Sequence, residues 1–372
     1  MDFIEIITIT LGILYFGYIV FERIYFIKVR KSFKHVIHIN GTRGKSTTTR
    51  LIDAGLRECG FRVFSKTTGT VPTMINTKNQ EIEVKRWGLA NIREQYRTMR
   101  KAYREKADIL VIECMAVNPE LQYITQHRML NADITIITNV LLDHIGDMGA
   151  NLDDIASALA NTIPEKGYLI VADREYNKLY TRKIGNNDVE VIVAEERFKE
   201  DQLATFKNNL NLAWEVATLL NLNKEQYLVG MGKYYHDPGA FKALKYGDTI
   251  FLNAFSVNDP TSTKKVYTEV TKKFSAETVT ILLNTRNDRP SRTIQSLKLL
   301  GDLSFKKLLI SGSNKPYVKR FVRVNYPDVI VEEVKSLEAL QKEEVIFGIG
   351  NIYGMGLKIL EYFEKNGVEY DD

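Results

Sequence analysis

His35-Val36-Ile37-His38-Ile39-Asn40-Gly41-Thr42-Arg43-Gly44-Lys45-Ser46 is the stretch that decides the fold. Its first half is short and β-branched, and two glycines follow. Thr47 to Cys59 is amphipathic and stops at Gly60. This order predicts a strand, a glycine loop and a helix, with Gly60 just past the helix end. A full phosphate-binding loop reads G-x-x-x-x-G-K-[ST]. Here Ile39 stands five before Gly44, so the loop is the shortened G-x-x-G-K-[ST] form. Its physics is unchanged, because backbone N–H groups at a helix N-terminus favour phosphate. Lys45 can reach the β and γ phosphates of a nucleotide, and Ser46 can hold Mg²⁺. A tight turn with an incidental lysine is disfavoured by the strand before the loop and the Thr-rich helix after it.

Outward from this loop, apolar runs alternate with helical patterns. Phe61–Phe64, Ile109–Glu113, Ile134–Val140 and Tyr168–Ala172 read as strands; Ala90–Lys106 and Leu152–Asn161 read as helices. That alternation implies a parallel sheet wound on both sides, with ligands at the carboxyl ends of the strands. The pattern breaks near Tyr234–Gly239, and residues 236–240 read as a hinge. A second series follows at Thr249–Leu252, Thr278–Leu283, Lys307–Ser311, Val329–Val331 and Val345–Phe347. The expected domains are 1–33, 34–236 and 237–372.

Two further segments carry chemistry. Glu113 closes a fully apolar strand, where a carboxylate is costly unless paired or bound to metal. Beside a nucleotide loop, a Mg²⁺ ligand is the economical role, and pairing with a lysine or arginine is the plain one. Asn139-Val140-Leu141-Leu142-Asp143-His144 leaves another buried strand, followed by Gly146 and Gly149. The His144 imidazole can complete a metal shell, although Mg²⁺ prefers oxygen. His35, His38, His127 and His236 read as ordinary satisfied histidines. The glycines at 348, 350, 354 and 356 are spaced G-x-G-x-x-x-G-x-G, not as a dinucleotide fingerprint, and read as close helix–strand packing.

Composition narrows the rest. The 372 residues are 44% hydrophobic and 26% charged, ordinary globular usage. A net charge of +5 is no nucleic-acid footprint. Two cysteines, Cys59 and Cys114, suit a reducing compartment rather than a disulfide framework. Ile6 to Phe21 is apolar and free of charge, and Phe3 and Ile4 extend it around Glu5 to near the length of a spanning helix. Arg23, Lys28, Arg30, Lys31 and Lys34 follow it. The positive-inside rule then puts the body in the cytoplasm, with a single-pass anchor in the cell membrane. A buried or interfacial helix is the alternative.

Together the short loop, the strand-end Glu113 and the segment Asn139–Gly149 resemble the Mur-ligase superfamily. Longer stretches are similar to one branch, the ligase subunits of poly-γ-glutamate synthase. These include Ser65-Lys66-Thr67-Thr68-Gly69-Thr70, Glu113-Cys114-Met115-Ala116-Val117-Asn118-Pro119, Asn258-Asp259-Pro260 and Asn284-Thr285-Arg286-Asn287-Asp288-Arg289. The resemblance runs nearly end to end and implies a Mur-ligase-like P-loop central domain with a parallel-rich sheet. It also implies a smaller Rossmann-like α/β C-terminal domain and an N-terminal transmembrane helix. It implies an enzyme that forms carbon–nitrogen bonds, turning ATP into ADP and phosphate while polymerising glutamate through its γ-carboxyl.

The implied nucleotide ligands are Gly41, Thr42, Arg43, Gly44, Lys45, Ser46 and Thr47, with Asn139 near the adenine. Ser46, Glu113 and His144 are the implied metal ligands, and Lys45, Glu113 and His144 the catalytic set. Lys66, Thr67, Thr68 and Thr70 can offer a cation and hydroxyls to acidic substrate or to the γ-phosphate. Many relatives have an arginine after the hinge glycine, where this chain has Gly239-Ala240. Arg286 and Arg289 are candidates to replace it. No sugar-nucleotide-binding domain precedes the loop, which argues against a muropeptide substrate. The implied partners are glutamate, the growing polymer and a small multi-span membrane subunit, since one span forms no conduit; self-association is left open. The competing functions are a folate-directed ligase of the same superfamily, such as folylpolyglutamate synthase, and a membrane-tethered P-loop ATPase or switch.

Overall fold

A computed structural model describes residues 2–69, 71–86, 88, 90–198, 207–236, 241–257, 260–288 and 290–370. The chain forms two compact units, Met1–His236 and Asp237–Asp372. The expected hinge at 237–240 lies outside the described residues, as do Thr70, Arg289 and the Asn258-Asp259 pair.

The N-terminal unit begins with α1 (Phe3–Lys31), β1 (His35–Asn40), α2 (Lys45–Glu58) and β2 (Val63–Lys66). Two short strands follow, β3 (Thr73–Ile75) and β4 (Glu81–Glu83), then α3 (Glu94–Arg104) and β5 (Ile109–Glu113). The sheet is completed by β6 (Ile134–Ile137), β7 (Lys166–Val171) and β8 (Asp188–Val193). The strand order is β4-β3-β2-β5-β1-β6-β7-β8. From β2 to β8 every pairing is parallel, and β3 and β4 add an antiparallel margin.

Strands β1 and β5 are covered on both faces, which is why they read as unbroken apolar runs. Ile37, Ile39, Ile109 and Val111 point to one face, against Leu51, Ile52 and Leu56 of α2. Val36, Leu110 and Ile112 point to the other, as the two-residue period requires. That second face also receives Phe26 and Val29 from the end of α1, together with Phe33 and Met99 of α3. Each such side chain contributes about 1.5–3 kcal/mol by leaving water. The basic segment after the apolar run is therefore also part of the core. The rest of α1 is different: its most apolar 18-residue window has none of its residues buried, and α1 is long and apolar enough to cross a membrane.

The C-terminal unit has β9 (Lys242–Tyr246), β10 (Thr249–Asn253), β11 (Val279–Thr285), β12 (Lys307–Gly312), β13 (Val331–Glu333), β14 (Val345–Gly350) and β15 (Val368–Glu369). Their order is β13-β12-β11-β14-β10-β9-β15, with β9 and β15 antiparallel. The late glycines pack as expected. A Cβ on Gly348 would sit 2.9 Å from the Phe255 ring, and one on Gly356 would sit 2.8 Å from the Asn351 carbonyl.

Candidate active site

Four neighbouring strands, β2, β5, β1 and β6, end at one margin of the first sheet, and each delivers a polar residue there. After β1 the chain turns through Gly41, with φ +125°, into Gly44, with φ +78°. Both are backbone conformations that favour glycine. A Cβ on Gly41 would also strike the Thr138 hydroxyl. Gly44 is the N-cap of α2, whose N-terminus has no side-chain cap and no acidic residue in its first turn. The first N–H groups of a helix have no intrahelical partner, so an uncapped start suits an anionic ligand. Thr47 lies in the same first turn.

The loop is fastened from β6. The Asn139 amide oxygen accepts from Thr42 Oγ1 at 2.6 Å and from the Arg43 N–H at 2.9 Å; its Nδ2 donates to the Arg43 carbonyl at 3.1 Å. Thr138 Oγ1 donates to that carbonyl at 2.5 Å. The Asn139 side chain is thus spent on holding the loop's shape. Lys45 Nζ donates to the carbonyls of Gly41 at 2.7 Å and Thr42 at 3.3 Å, bonds that a phosphate can replace.

Glu113 is 2% exposed at the end of β5. One of its oxygens, Oε2, accepts from Ser46 Oγ at 2.8 Å and from the Thr68 N–H at 2.7 Å. Among the described residues Oε1 has no hydrogen-bond partner, and Glu113 is in no ion pair. Two hard oxygens 2.8 Å apart match adjacent ligands of an octahedral ion with bonds of about 2.0–2.1 Å. Ser46 and Glu113 therefore fit a divalent cation.

His144 has φ +50° and precedes a short helix. Its Nε2 lies 3.8 Å from Asp143 Oδ2, and Asp143 pairs with Arg43 at 2.9 Å. The Asn139–His144 segment thus grips the loop at both ends. Among the described residues no group of three or more His, Cys, Asp and Glu side chains is gathered at metal-binding spacing.

Lys66 and Thr67 are buried rather than offered to solvent. Lys66 Nζ pairs with Glu94 at 3.2 Å and donates to Gln95 Oε1 at 3.2 Å. Burial lowers its pKa, with Glu94 opposing that shift. Arg86 holds Glu94 through bonds of 2.7 and 3.1 Å. Gln95 Nε2 donates to the Glu113 carbonyl at 3.1 Å, so the first turn of α3 braces both Lys66 and the β5 end. Thr67 bonds to Thr73 across β2 and β3. Sequence reasoning missed Glu94, Gln95 and Asn209, which touches Gly44 and accepts from Thr48 Oγ1 at 3.2 Å. Asn209 is 161 residues from Thr48, and no local pattern marks such a partner.

Arg286 belongs to the C-terminal unit. It lies just after β11, forks onto Asp288 at 2.9 and 2.6 Å, and stacks over the Tyr353 ring at 4.6 Å.

Known proteins are similar to this chain over most of its length. A family model described as the Mur ligase middle domain matches residues 39–231. Another, the poly-γ-glutamate synthase CapB C-terminal domain, matches residues 240–366. The PGA synthase CapB of Bacillus subtilis (strain 168) is 35% identical, over 90% of this chain and 91% of that one. The chain belongs to the CapB family of Mur ligases. Another CapB relative, the capsule biosynthesis protein CapB of Bacillus anthracis, is 32% identical over 87% of this chain and 75% of that one.

Solved structures share the fold outside the CapB family. The folylpolyglutamate synthase of Mycobacterium tuberculosis, complexed with ADP and AMPPCP, superposes with a TM-score of 0.64 at 13% identity, covering 89% of this chain and 91% of that one. A bifunctional folylpolyglutamate synthase/dihydrofolate synthase with Mn, AMPPNP and L-glutamate bound gives 0.63 at 13% identity, covering 90% and 91%. At such identities the likeness is one of fold.

Proposed function

We propose that this chain is an ATP-dependent amide ligase that polymerises glutamate through its γ-carboxyl, making poly-γ-glutamate at the cytoplasmic face of the membrane. Its CapB relatives supply the reaction class. The observation that carries the site is the Ser46–Glu113 pair at the foot of the uncapped α2. Folylpolyglutamate synthases are related by fold alone, so a folate substrate has no comparable support. A bare ATPase switch would leave ligase-family membership unexplained.

The N–H groups at the start of α2 and the Lys45 ammonium hold the β and γ phosphates. Ser46 and Glu113 would hold a divalent cation such as Mg²⁺, which when bound would offset the charge of the transferring phosphoryl group. A γ-carboxylate oxygen of glutamate attacks the γ-phosphorus, the bond to the bridging oxygen breaks, and ADP leaves. The resulting acyl phosphate is attacked at carbon by the amine of another glutamate unit. The C–O bond breaks, phosphate leaves, and the nitrogen loses a proton. The chain's share is positioning and electrostatics: Asn139 and Thr138 keep the loop closed, and Gln95 keeps the end of β5 in register. We read α1 as a single membrane span with the body in the cytoplasm, working with a multi-span partner that passes the polymer.

Membranes carrying the chain, given ATP, Mg²⁺ and labelled glutamate, should yield labelled polymer together with ADP and phosphate. ATP hydrolysis at the same rate without glutamate, and with no polymer, would sink the reading.

A further inference from the structure

Helix α3 carries its charges on one side. Arg93, just before it, and Arg97, Arg100, Lys101 and Arg104 are all exposed. At about 100° per residue these five positions fall within an arc of roughly 100°. Glu94, Gln95, Thr98, Met99 and Ala102 fill the opposite, buried face. The stripe is hardly neutralised. Arg93 pairs with Glu22 at 2.5 Å, whereas Arg97, Lys101 and Arg104 are in no ion pair among the described residues. Like charges along one helix face repel one another, and an anionic partner relieves that.

The position of the stripe identifies the partner. The charge-free apolar run of α1 ends at Phe21, and Glu22 and Arg23 follow, with Ile24 and Ile27 still exposed beyond them. Helix α3 packs on α1 at that level. Phe26 stacks on Tyr96 with ring centroids 3.9 Å apart, Tyr25 meets Tyr103 edge-on at 6.4 Å, and Arg100 lies over both α1 rings at 5.8 and 5.6 Å. Five residues of helix separate Phe21 from Phe26, about 7.5 Å. The polar layer on each side of a bilayer is about 5–8 Å deep. With α1 in a membrane, Arg93 and Arg100 lie at headgroup depth, and the rest of the stripe follows along a rigid helix.

We propose that the exposed face of α3 binds the headgroups of anionic phospholipids in the leaflet that α1 enters. The proposal rests on α1 being a membrane span. Carbonate extraction tests that separately: release of the chain into the soluble fraction would remove the span itself. The direct test titrates the full chain in neutral detergent micelles with phosphatidylglycerol or phosphatidylcholine, counting bound lipids by native mass spectrometry. Phosphatidylglycerol should bind in preference at 0.1 M salt. Replacing Arg97→Gln, Lys101→Gln and Arg104→Gln together should cut that preference about a hundredfold, given the attraction of each near-surface cation to anionic lipid. The matched change Lys178→Gln, Arg182→Gln and Lys183→Gln, on the exposed side of the helix Asn177–Ile184, should leave it intact. Equal losses in both triple variants, or no loss in the first, would overturn the proposal. So would displacement of the lipid by soluble poly-γ-glutamate at equal charge concentration, which would assign the stripe to the acidic polymer.

Discussion

The two units have the same kind of sheet and opposite uses for the ends of its strands. In the N-terminal unit the residues after β1, β2, β5 and β6 surround an uncapped helix start, and among the described residues Glu113 keeps one oxygen unpartnered. In the C-terminal unit the corresponding polar residues bond to each other. Asn284 donates to the carbonyls of Asn351 and Tyr353 and accepts from Ser311 Oγ at 2.9 Å. The glycines differ in the same way. Gly41 and Gly44 shape a loop around a helix N-terminus, whereas Gly348, Gly350 and Gly356 let backbone and rings pack closely. Parallel α/β architecture alone does not make a phosphate site; the loop between strand and helix does.

The largest effect should come from breaking the first set of strand ends. Lys45→Ala and Glu113→Gln should each lower glutamate-dependent ADP release by about 10²–10³-fold, on the scale of losing a preorganised charge partner. Circular dichroism should show the fold retained. Arg286→Ala, whose guanidinium is already held by Asp288 and Tyr353, should cost roughly tenfold or less. A larger loss for Arg286→Ala than for Lys45→Ala would reverse the contrast.

Stability separates the units next. His38 is buried in β1 with Gln126 at 2.8 Å, and its other ring nitrogen has no partner among the described residues. Burial, with a smaller contribution from His127, outweighs the Gln126 bond and lowers its pKa to about 4. Above pH 6.5 both folded and unfolded states are neutral, so pH has no effect through this group. Between 6.5 and 4 only the unfolded state takes up the proton, so stability falls as pH falls. The loss should total about 3 kcal/mol across that window. All five histidines precede residue 237, so this acid sensitivity belongs to the N-terminal unit. Hydrogen exchange at pH 7 and 5 should show protection falling there first, and His38→Asn should flatten the profile.

The smallest effect tests the packing glycines. Gly350 has φ +96°, and a Cβ there would lie 2.5 Å from the Asn284 carbonyl. Gly350→Ala should cost about 1–3 kcal/mol in denaturant unfolding, with Lys45-dependent turnover little changed at low temperature. A turnover loss with no stability change would give the late glycines a ligand role after all.

What the sequence made legible follows from how local the cause is. β1, the loop and β5 lie where their apolar runs and glycines put them. β2 runs Val63–Lys66 rather than Phe61–Phe64, because the Phe61 N–H still closes α2 on the Leu56 carbonyl. α2 begins at Lys45, two residues before the amphipathic pattern starts. β3 and β4 went unread: each is three residues long, too short for a strand pattern to stand out, although Glu81-Ile82-Glu83 alternates. The hairpin of β9 and β10 turns on Gly247-Asp248, a signal present in the sequence but masked by the lysines of β9. In the site, the loop and Glu113 were legible because their chemistry is written in single residues. The work of Asn139 on the loop and the burial of Lys66 were not, because both depend on partners distant in sequence.

Helix α3 is about 16 Å of rigid rod. Its first turn holds the Glu113 carbonyl and Lys66, and one flank packs on α1 through Tyr96 and Tyr103. The site is therefore not tethered to α1 like a buoy on a rope but bolted to it: with α1 in a membrane, as proposed above, each new amide bond would form at a set height above the bilayer.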